Sequence, residues 1–193
     1  MFPLDTLLLP GEQLPLHIFE PRYRKLFKAL EEGEFIQFGI PYKRGEHPPL
    51  VSVCRLVRVA KRFRGGLMNV IVECDHLALQ LGKIMTDGDL PFPKGNIGEA
   101  LKPVGETKPP VELMSKFADY IAYKFGTRPG YAVLHKYSIA DVAACLNLSN
   151  DDKLKYLQLA TDADRERFLN GKIDYLLLLF QQEAKTDNGL IMN

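Results

Sequence analysis

The sequence has no long hydrophobic run, no excess of charge and no targeting segment, and each absence excludes a class of protein. Its longest apolar run, from Tyr175 to Phe180, is far shorter than the roughly 20 residues of a membrane-spanning helix. The 25 basic and 24 acidic residues give a net charge of +1, which provides no general electrostatic reason for a nucleic-acid or membrane partner. The amino terminus lacks the features of a signal peptide, so we expect a cytoplasmic location.

Cysteine is also scarce. Cys54, Cys74 and Cys145 are too few and too widely spaced for a disulfide framework or a CxxC metal pair. Cys74 and His76 could share one strand face near Cys54, but a zinc site would need a fourth ligand and usually tighter spacing. We therefore expect three small buried thiols, with no metal and no cofactor.

The motifs of ATP hydrolysis and peptide-bond cleavage are missing from the sequence. A phosphate-binding loop needs a Ser or Thr after its Gly-Lys pair, whereas Ile follows both Gly82-Lys83 and Gly171-Lys172. None of the four serines lies in a glycine-rich segment, and none of the four histidines lies beside a nucleophile motif. We predict no catalytic residues, and hence that the protein is not an enzyme.

A strand that runs directly into a short helix organises the amino-terminal part. The alternation of Leu14, Leu16 and Ile18 predicts the strand. Pro21 suits the first turn of the helix and Gly33 its end. The apolar face of this helix consists of Tyr23, Leu26, Phe27 and Leu30.

Further strands follow, and the pattern becomes helical after a region rich in proline and glycine. Strands are predicted at 35–40, ending at Pro41, at 51–62 and at 67–74. Residues 76–81 extend the last of these or start another strand, and residues 97–101 are a candidate for a further short one. The predicted fold class is α+β, with a β-rich domain at 1–110 that includes a linker from about residue 82. A helical domain is predicted at 111–193.

Four helices are predicted in this second domain, as a four-helix bundle. The first has an apolar stripe formed by Leu113, Phe117, Ile121 and Phe125 and stops at Gly126. Ser138 and Asp141 form a capping box for the second helix, and Ser149 caps the third. Asp162 opens the last helix, whose predicted inward residues are Phe168, Leu169, Ile173, Leu176, Leu177 and Phe180.

Several phrases of the sequence resemble the N-terminal, substrate-binding domain of Lon protease. They are Phe2-Pro-Leu4, Pro10-Gly11, Leu14-Pro-Leu16 and Ile18-Phe-Glu-Pro-Arg-Tyr-Arg24, in the order and spacing of that family. The helical part from Ser138 to Glu183 also follows the family pattern, whereas Glu73–Leu77 replaces its G-x-R-F-like word. The resemblance implies a twisted sheet of the PUA-like pseudo-barrel type, in a stand-alone form without the ATPase and S16-type peptidase modules.

The resemblance also implies a function, namely a non-enzymatic polypeptide-binding or adaptor module related to ATP-dependent proteolysis. Its expected partners are unfolded or tagged polypeptides and a protease, with no membrane partner. Two loops are candidate rims of an apolar peptide-binding groove between the sheet and the bundle: Pro10, Gly11, Glu12 and Gln13, and Tyr42, Lys43 and Arg44. The family signature consists of Phe19, Glu20, Pro21, Arg22 and Tyr23. It is expected to be structural, with Tyr23 in the core and Arg22 paired with Glu20.

Two alternatives stay open. The first is a small-molecule-binding regulatory domain or an uncharacterised enzyme on a PUA-like fold, which a deep polar pocket would favour. The second is RNA binding, to which a local basic cluster points: Arg55, Arg58, Lys61, Arg62 and Arg64. Because no regular interleaving of aromatic residues along this cluster supports base stacking, a solvated hairpin is the favoured interpretation and a nucleic-acid partner is not expected.

Overall fold

The computed structural model describes residues 1–43, 45, 49–86 and 90–190, with side chains as far as residue 183. The chain divides into two compact units, Met1–Pro103 and Val104–Asn193. The first unit contains an antiparallel sheet and the second is helical, as the sequence predicts.

The sheet unit is built around one very long strand. Its elements are β1 (Gln13–Ile18), α1 (Pro21–Glu31), β2 (Phe38–Tyr42), β3 (Leu50–Arg62), β4 (Met68–Met85) and β5 (Lys94–Ala100), with a 3₁₀ turn (Arg64–Gly66) joining β3 to β4. The strand order is β1-β4-β3-β2, and β5 also pairs with β4. β4 has 18 residues, so one of its edges accommodates β1 over 68–73 and β5 over 78–85. β3 occupies the other edge of β4.

From the sequence, β2 is expected to end at Pro41. In the structure the strand includes Pro41 and continues to Tyr42. The carbonyl of Gly39 accepts a hydrogen bond from the backbone N–H of Phe2 at 2.8 Å, so Gly39 directs its polar groups away from β3. Pro41 lies two residues further and has the same orientation, because alternate residues of an antiparallel strand face the same edge. Its missing N–H therefore costs no hydrogen bond to β3.

The helix α1 begins at Pro21 as predicted, and Gly33 follows its end with a φ of 78°. Its apolar face packs into an aromatic core with the amino-terminal segment. The Phe2 ring lies 4.4 Å from the Tyr23 ring in an edge-to-face arrangement, and Phe27 lies 5.3 Å from Phe38. Edge-to-face pairs at such distances add to the hydrophobic stabilisation of a core. The predicted junction of strand and helix thus shares one core.

The helical unit contains five helices among the described residues, one more than predicted: α2 (Val111–Phe125), α3 (Tyr131–Leu134), α4 (Ile139–Cys145), α5 (Asn150–Gln158) and α6 (Asp162–Leu190). The extra helix, α3, is a single turn, too short to show a helical period in the sequence. The predicted capping box is confirmed, since Ser138 Oγ accepts from the Asp141 N–H and the Ser138 N–H donates to Asp141 Oδ2. Within the described residues, no helix is both long and apolar enough to cross a bilayer.

The predicted apolar stripe of α2 is correct at its start and wrong at its end. Leu113 and Phe117 are buried, but Phe125 is 66% exposed. A spacing of four residues advances by about 40° more than a full turn of an α-helix, so three such steps turn Phe125 about 120° away from Leu113. Tyr120, three residues after Phe117, takes the buried position and lies against Phe180 of α6.

The start of the helical unit lies upstream of the boundary at 110/111 that the sequence analysis proposed. The Gly105 carbonyl accepts from the Ala140 N–H at 2.8 Å, and the Thr107 carbonyl accepts from the Ile139 N–H at 3.0 Å. The Thr107 hydroxyl donates to Asp162 at 2.6 Å, and this bond is the main cause that lowers the pKa of Asp162. These contacts attach the residues from 104 onward to the starts of α4 and α6.

Two of the three cysteines face each other in the core of the sheet. Cys54 of β3 is the register partner of Cys74 of β4, and both side chains are buried. The hydrogen bond to the Cys74 thiol, followed by burial, raises the pKa of the Cys54 thiol strongly. Cys145, also expected to be buried, is partly exposed at the end of α4. A raised pKa and burial both suppress thiolate reactivity.

We therefore expect the native protein to react with a thiol reagent in two phases. Cys145 should be modified quickly at pH 8, whereas Cys54 and Cys74 should react only after denaturant opens the sheet, since the thiolate is the nucleophile. Counting released thiolate with Ellman's reagent would measure both phases. The variant Cys145→Ser should lose the fast phase alone, and fast reaction of all three thiols would contradict the prediction.

Candidate polypeptide-binding site

The first predicted rim, residues 10–13, is a turn held against β4. The Gly11 N–H donates to the Cys74 carbonyl at 2.8 Å, and the Cys74 N–H donates to the Glu12 carbonyl at 3.0 Å. The Glu12 side chain is buried, and its carboxylate accepts from the Leu9 N–H at 3.0 Å. Glu12 therefore stabilises the turn from inside, and Pro10, Gly11 and Gln13 are the residues of this set that reach solvent.

The second predicted rim does not join the first. Tyr42 is buried, Lys43 is exposed, and Arg44 lies outside the described residues. Tyr42 pairs with Leu50, which pairs with Leu79 of β4, whereas Gln13 pairs with Glu73. These two positions of β4 are six residues apart, roughly 20 Å along the strand. The described residues of the two loops therefore do not form one continuous rim.

The signature residues 19–23 form the entry to α1. Arg22 forms an ion pair with Glu20 at 2.8 Å, and its guanidinium lies 4.6 Å from the centre of the Tyr23 ring. Tyr23 is buried, and burial is the main cause that raises the pKa of its hydroxyl. Pro21 is the first residue of the helix. Phe19 is the large apolar residue of this set that is exposed, with 61% of its surface accessible.

A groove within the helical unit is better suited to binding a polypeptide than the two predicted rims are. It has a volume of about 490 Å³ and lies between α2 and the segment that contains α3. Its lining is mostly apolar, and the apolar residues in it are Pro109, Val111, Met114, Ala118, Pro129, Tyr131, Leu134 and Tyr137. A concave apolar surface of this size is typical of a site that accepts a side chain or a small ligand.

Hydrogen bonds within the unit hold one wall of the groove in place. α2 ends at Gly126, whose φ of 79° turns the chain back toward the helix. In the returning segment, Arg128 donates to Asp119 at 2.9 Å and to the Ser115 hydroxyl at 3.3 Å, both on α2. Lys108 donates to the Lys136 carbonyl at 3.0 Å. These two cations are thus engaged inside the unit, so that apolar contact remains as the main attraction of the groove.

Two apolar residues stand at the mouth of the groove. Val111 is 83% exposed and Tyr131 is 82% exposed, and the Tyr131 ring stacks on the His135 ring at 6.1 Å. Exposed apolar side chains that adjoin a concave apolar surface are characteristic of interaction sites. No cluster of three His, Cys, Asp or Glu side chains suitable for a metal occurs in the part of the chain that the structure describes.

This groove is not predicted from the sequence. Val111 is predicted only as the start of a helix, and α3 is not predicted at all, so the two walls could not be placed side by side. A signal was present in the Pro-Gly pair at 129–130 and the Pro-Pro pair at 109–110, which bring the chain sharply into α3 and α2. Such pairs mark turns, but they do not indicate which surfaces the turns bring together.

Solved structures that share this fold include two Lon N-terminal domains. A Lon N-terminal domain protein from Xanthomonas campestris aligns with a TM-score of 0.60 and 19% sequence identity, over 88% of this chain and 95% of that chain. The N-terminal domain of a Mycobacterium avium complex Lon protease aligns with a TM-score of 0.54 and 19% identity, over 90% and 96%. No protein-family model and no curated protein matches the sequence. The expected fold is therefore confirmed by structure, and the chain has the fold of a Lon N-terminal domain.

Proposed function

We propose that this chain binds unfolded polypeptide segments, without itself catalysing a reaction, and that the groove between α2 and α3 receives their apolar side chains. The observation that carries the proposal is the apolar lining of the groove, with Val111 and Tyr131 exposed at its mouth. The Lon N-terminal fold and the resemblance of the sequence to that substrate-binding domain support the same function. An adaptor role beside a separate protease is the wider form of this proposal.

The physical reason for selecting unfolded polypeptides is accessibility. A folded protein buries most of its large apolar side chains, whereas an unfolded chain presents them to any open groove. Burial of one such side chain contributes about 1.5 to 3 kcal/mol, which corresponds to roughly tenfold to a hundredfold in affinity. Weak binding that increases with the number of exposed apolar residues is therefore expected.

We expect the variant Tyr131→Ser to weaken the binding of a labelled, permanently unfolded polypeptide by about tenfold, because it removes the apolar ring at the mouth of the groove. Val111→Ser should have a smaller effect in the same direction. Fluorescence anisotropy without ATP would measure both affinities, with the folded parent of the same polypeptide as the non-binding ligand.

The matched control is Tyr175→Ser, since Tyr175 is also exposed in the helical unit but does not line the groove. It should leave the affinity unchanged. Equal losses in the Tyr131 and Tyr175 variants would exclude the groove as the site. Failure of the unaltered protein to bind the unfolded polypeptide at all would contradict the proposed function.

A further inference from the structure

Three aromatic rings form an exposed cluster where β1 ends. The His17 ring stacks on the Phe19 ring at 6.2 Å and meets the Phe63 ring edge-on at 5.8 Å. Phe19 is 61% exposed and Phe63 is 39% exposed. We call His17, Phe19 and Phe63 the aromatic platform. Its members come from β1 and from the end of β3, far apart in the sequence, so the cluster exists only in the folded sheet.

Cross-strand pairing places positive charge on the same face. His17 pairs with Asn69 of β4, and Asn69 pairs with Lys61 of β3, so their side chains share one face of the sheet. The His17 Nδ1–H donates to Asn69 Oδ1 at 2.6 Å, which orients the imidazole. The ammonium of Lys61 lies 4.9 Å from the centre of the Phe63 ring. Arg58 pairs with Ile71, which lies two residues after Asn69 on β4 and so on the same face of the sheet.

The basic cluster in the sequence separates into two groups in the structure. Arg55 is held by Glu73 and Asp75, and Arg62 forms an ion pair with Glu31. Within the described residues, no carboxylate forms an ion pair with the remaining three cations, Arg58, Lys61 and Arg64. The surface beside the platform therefore carries local positive charge, although the whole chain is nearly neutral.

We propose that the aromatic platform and these three cations bind single-stranded nucleic acid. Bases would stack on the exposed faces of Phe19 and Phe63, while the phosphates would lie near Arg58, Lys61 and Arg64. A single strand presents its bases for stacking, whereas a duplex hides them. The basic segment itself contains only Phe63, and the end of β1 adds His17 and Phe19, which removes the reason for excluding a nucleic-acid partner. Unpaired cations favour this polyanion over an uncharged ligand.

The test is a titration of a labelled oligouridylate of about 12 nucleotides, followed by fluorescence anisotropy over a series of salt concentrations. We expect saturable binding that weakens as salt rises, and Phe63→Ala and Phe19→Ala should each reduce the affinity about tenfold. Lys61→Gln should lower the magnitude of the logarithmic salt slope by about 0.7, since one phosphate contact is lost. A duplex of the same length should compete weakly.

The controls use exposed residues away from the platform. Phe125→Ala removes an exposed ring of the helical unit, and Lys102→Gln removes an exposed cation, and neither should change the affinity. Tyr131→Ser should also leave it unchanged, which separates this proposal from polypeptide binding. Absence of binding at low salt, equal losses in the Phe63 and Phe125 variants, or full competition by polyglutamate without any effect of the phenylalanine variants would overturn the proposal.

Discussion

We expect the variant Gly105→Ala to destabilise the helical unit by about 3 kcal/mol, a large effect for the addition of one methyl group. Gly105 has a φ of 73°, a conformation that costs an L-residue about 1 kcal/mol. A Cβ at this position would also overlap the buried Tyr156 hydroxyl and lie 3.1 Å from the Ala140 nitrogen. The backbone cannot retreat easily, because the Gly105 carbonyl accepts the Ala140 N–H.

Two other glycines separate these causes. Gly126 has a φ of 79° but open space around its Cβ position, so Gly126→Ala should show the backbone strain alone, about 1 kcal/mol. Gly171 lies inside α6 with a φ outside the left-handed region and nothing near its Cβ position, so Gly171→Ala should stabilise by about 0.5 to 1 kcal/mol. Urea denaturation followed by far-UV circular dichroism would report mainly on the helices.

The double variant Gly105→Ala with Tyr156→Phe tests the overlap directly. The Tyr156 hydroxyl has no hydrogen-bond partner among the described residues, so Tyr156→Phe alone should change the stability little. Removing that hydroxyl should restore part of the stability lost at Gly105, and the double-mutant cycle should give a coupling above 0.5 kcal/mol. Additive effects would show that the Tyr156 contact does not cause the loss.

Gly105 illustrates why the sequence predicts helices and strands better than it predicts the contacts between them. The strand–helix junction at 14–33 and the caps at Ser138 and Ser149 are local features, since the residues that determine them lie within a few positions. Gly105 belongs to a segment with many prolines and glycines, which indicates irregular backbone and nothing about its neighbours. Its close approach to Tyr156 depends on the packing of α4 and α5, and is visible only in three dimensions.

The same difference between local and long-range features applies to the two candidate sites. The predicted rim at residues 10–13 is a turn, but its Glu12 side chain faces inward and accepts from the Leu9 N–H. Conversely, the aromatic platform could not be predicted, because His17 and Phe63 become neighbours through the register of β1, β4 and β3. Register depends on long-range strand pairing, which alternation along a single strand does not specify.

The variant Ser52→Ala is expected to have a comparably large effect on the sheet unit, about 3 kcal/mol. Ser52 is fully buried on β3, and its hydroxyl accepts from the Leu8 N–H at 2.9 Å and donates to the Leu8 carbonyl at 3.0 Å. One side chain thus satisfies both polar groups of a buried residue. Alanine would leave them without these bonds, and each unsatisfied buried group costs roughly 1 to 3 kcal/mol.

The loss should begin in the amino-terminal segment rather than spread evenly. Phe2, Leu7 and Leu8 are buried against the sheet, and the Ser52 hydroxyl fixes the middle of this segment to β3. Hydrogen exchange should therefore accelerate more for the Leu8 amide than for that of Val70 in the centre of β4. Thr127→Ala, which removes an exposed hydroxyl, should change the stability by less than about 0.5 kcal/mol. If the Ser52 and Thr127 variants were equally stable and the Leu8 amide exchanged at its original rate, Ser52 would not be the attachment point of this segment.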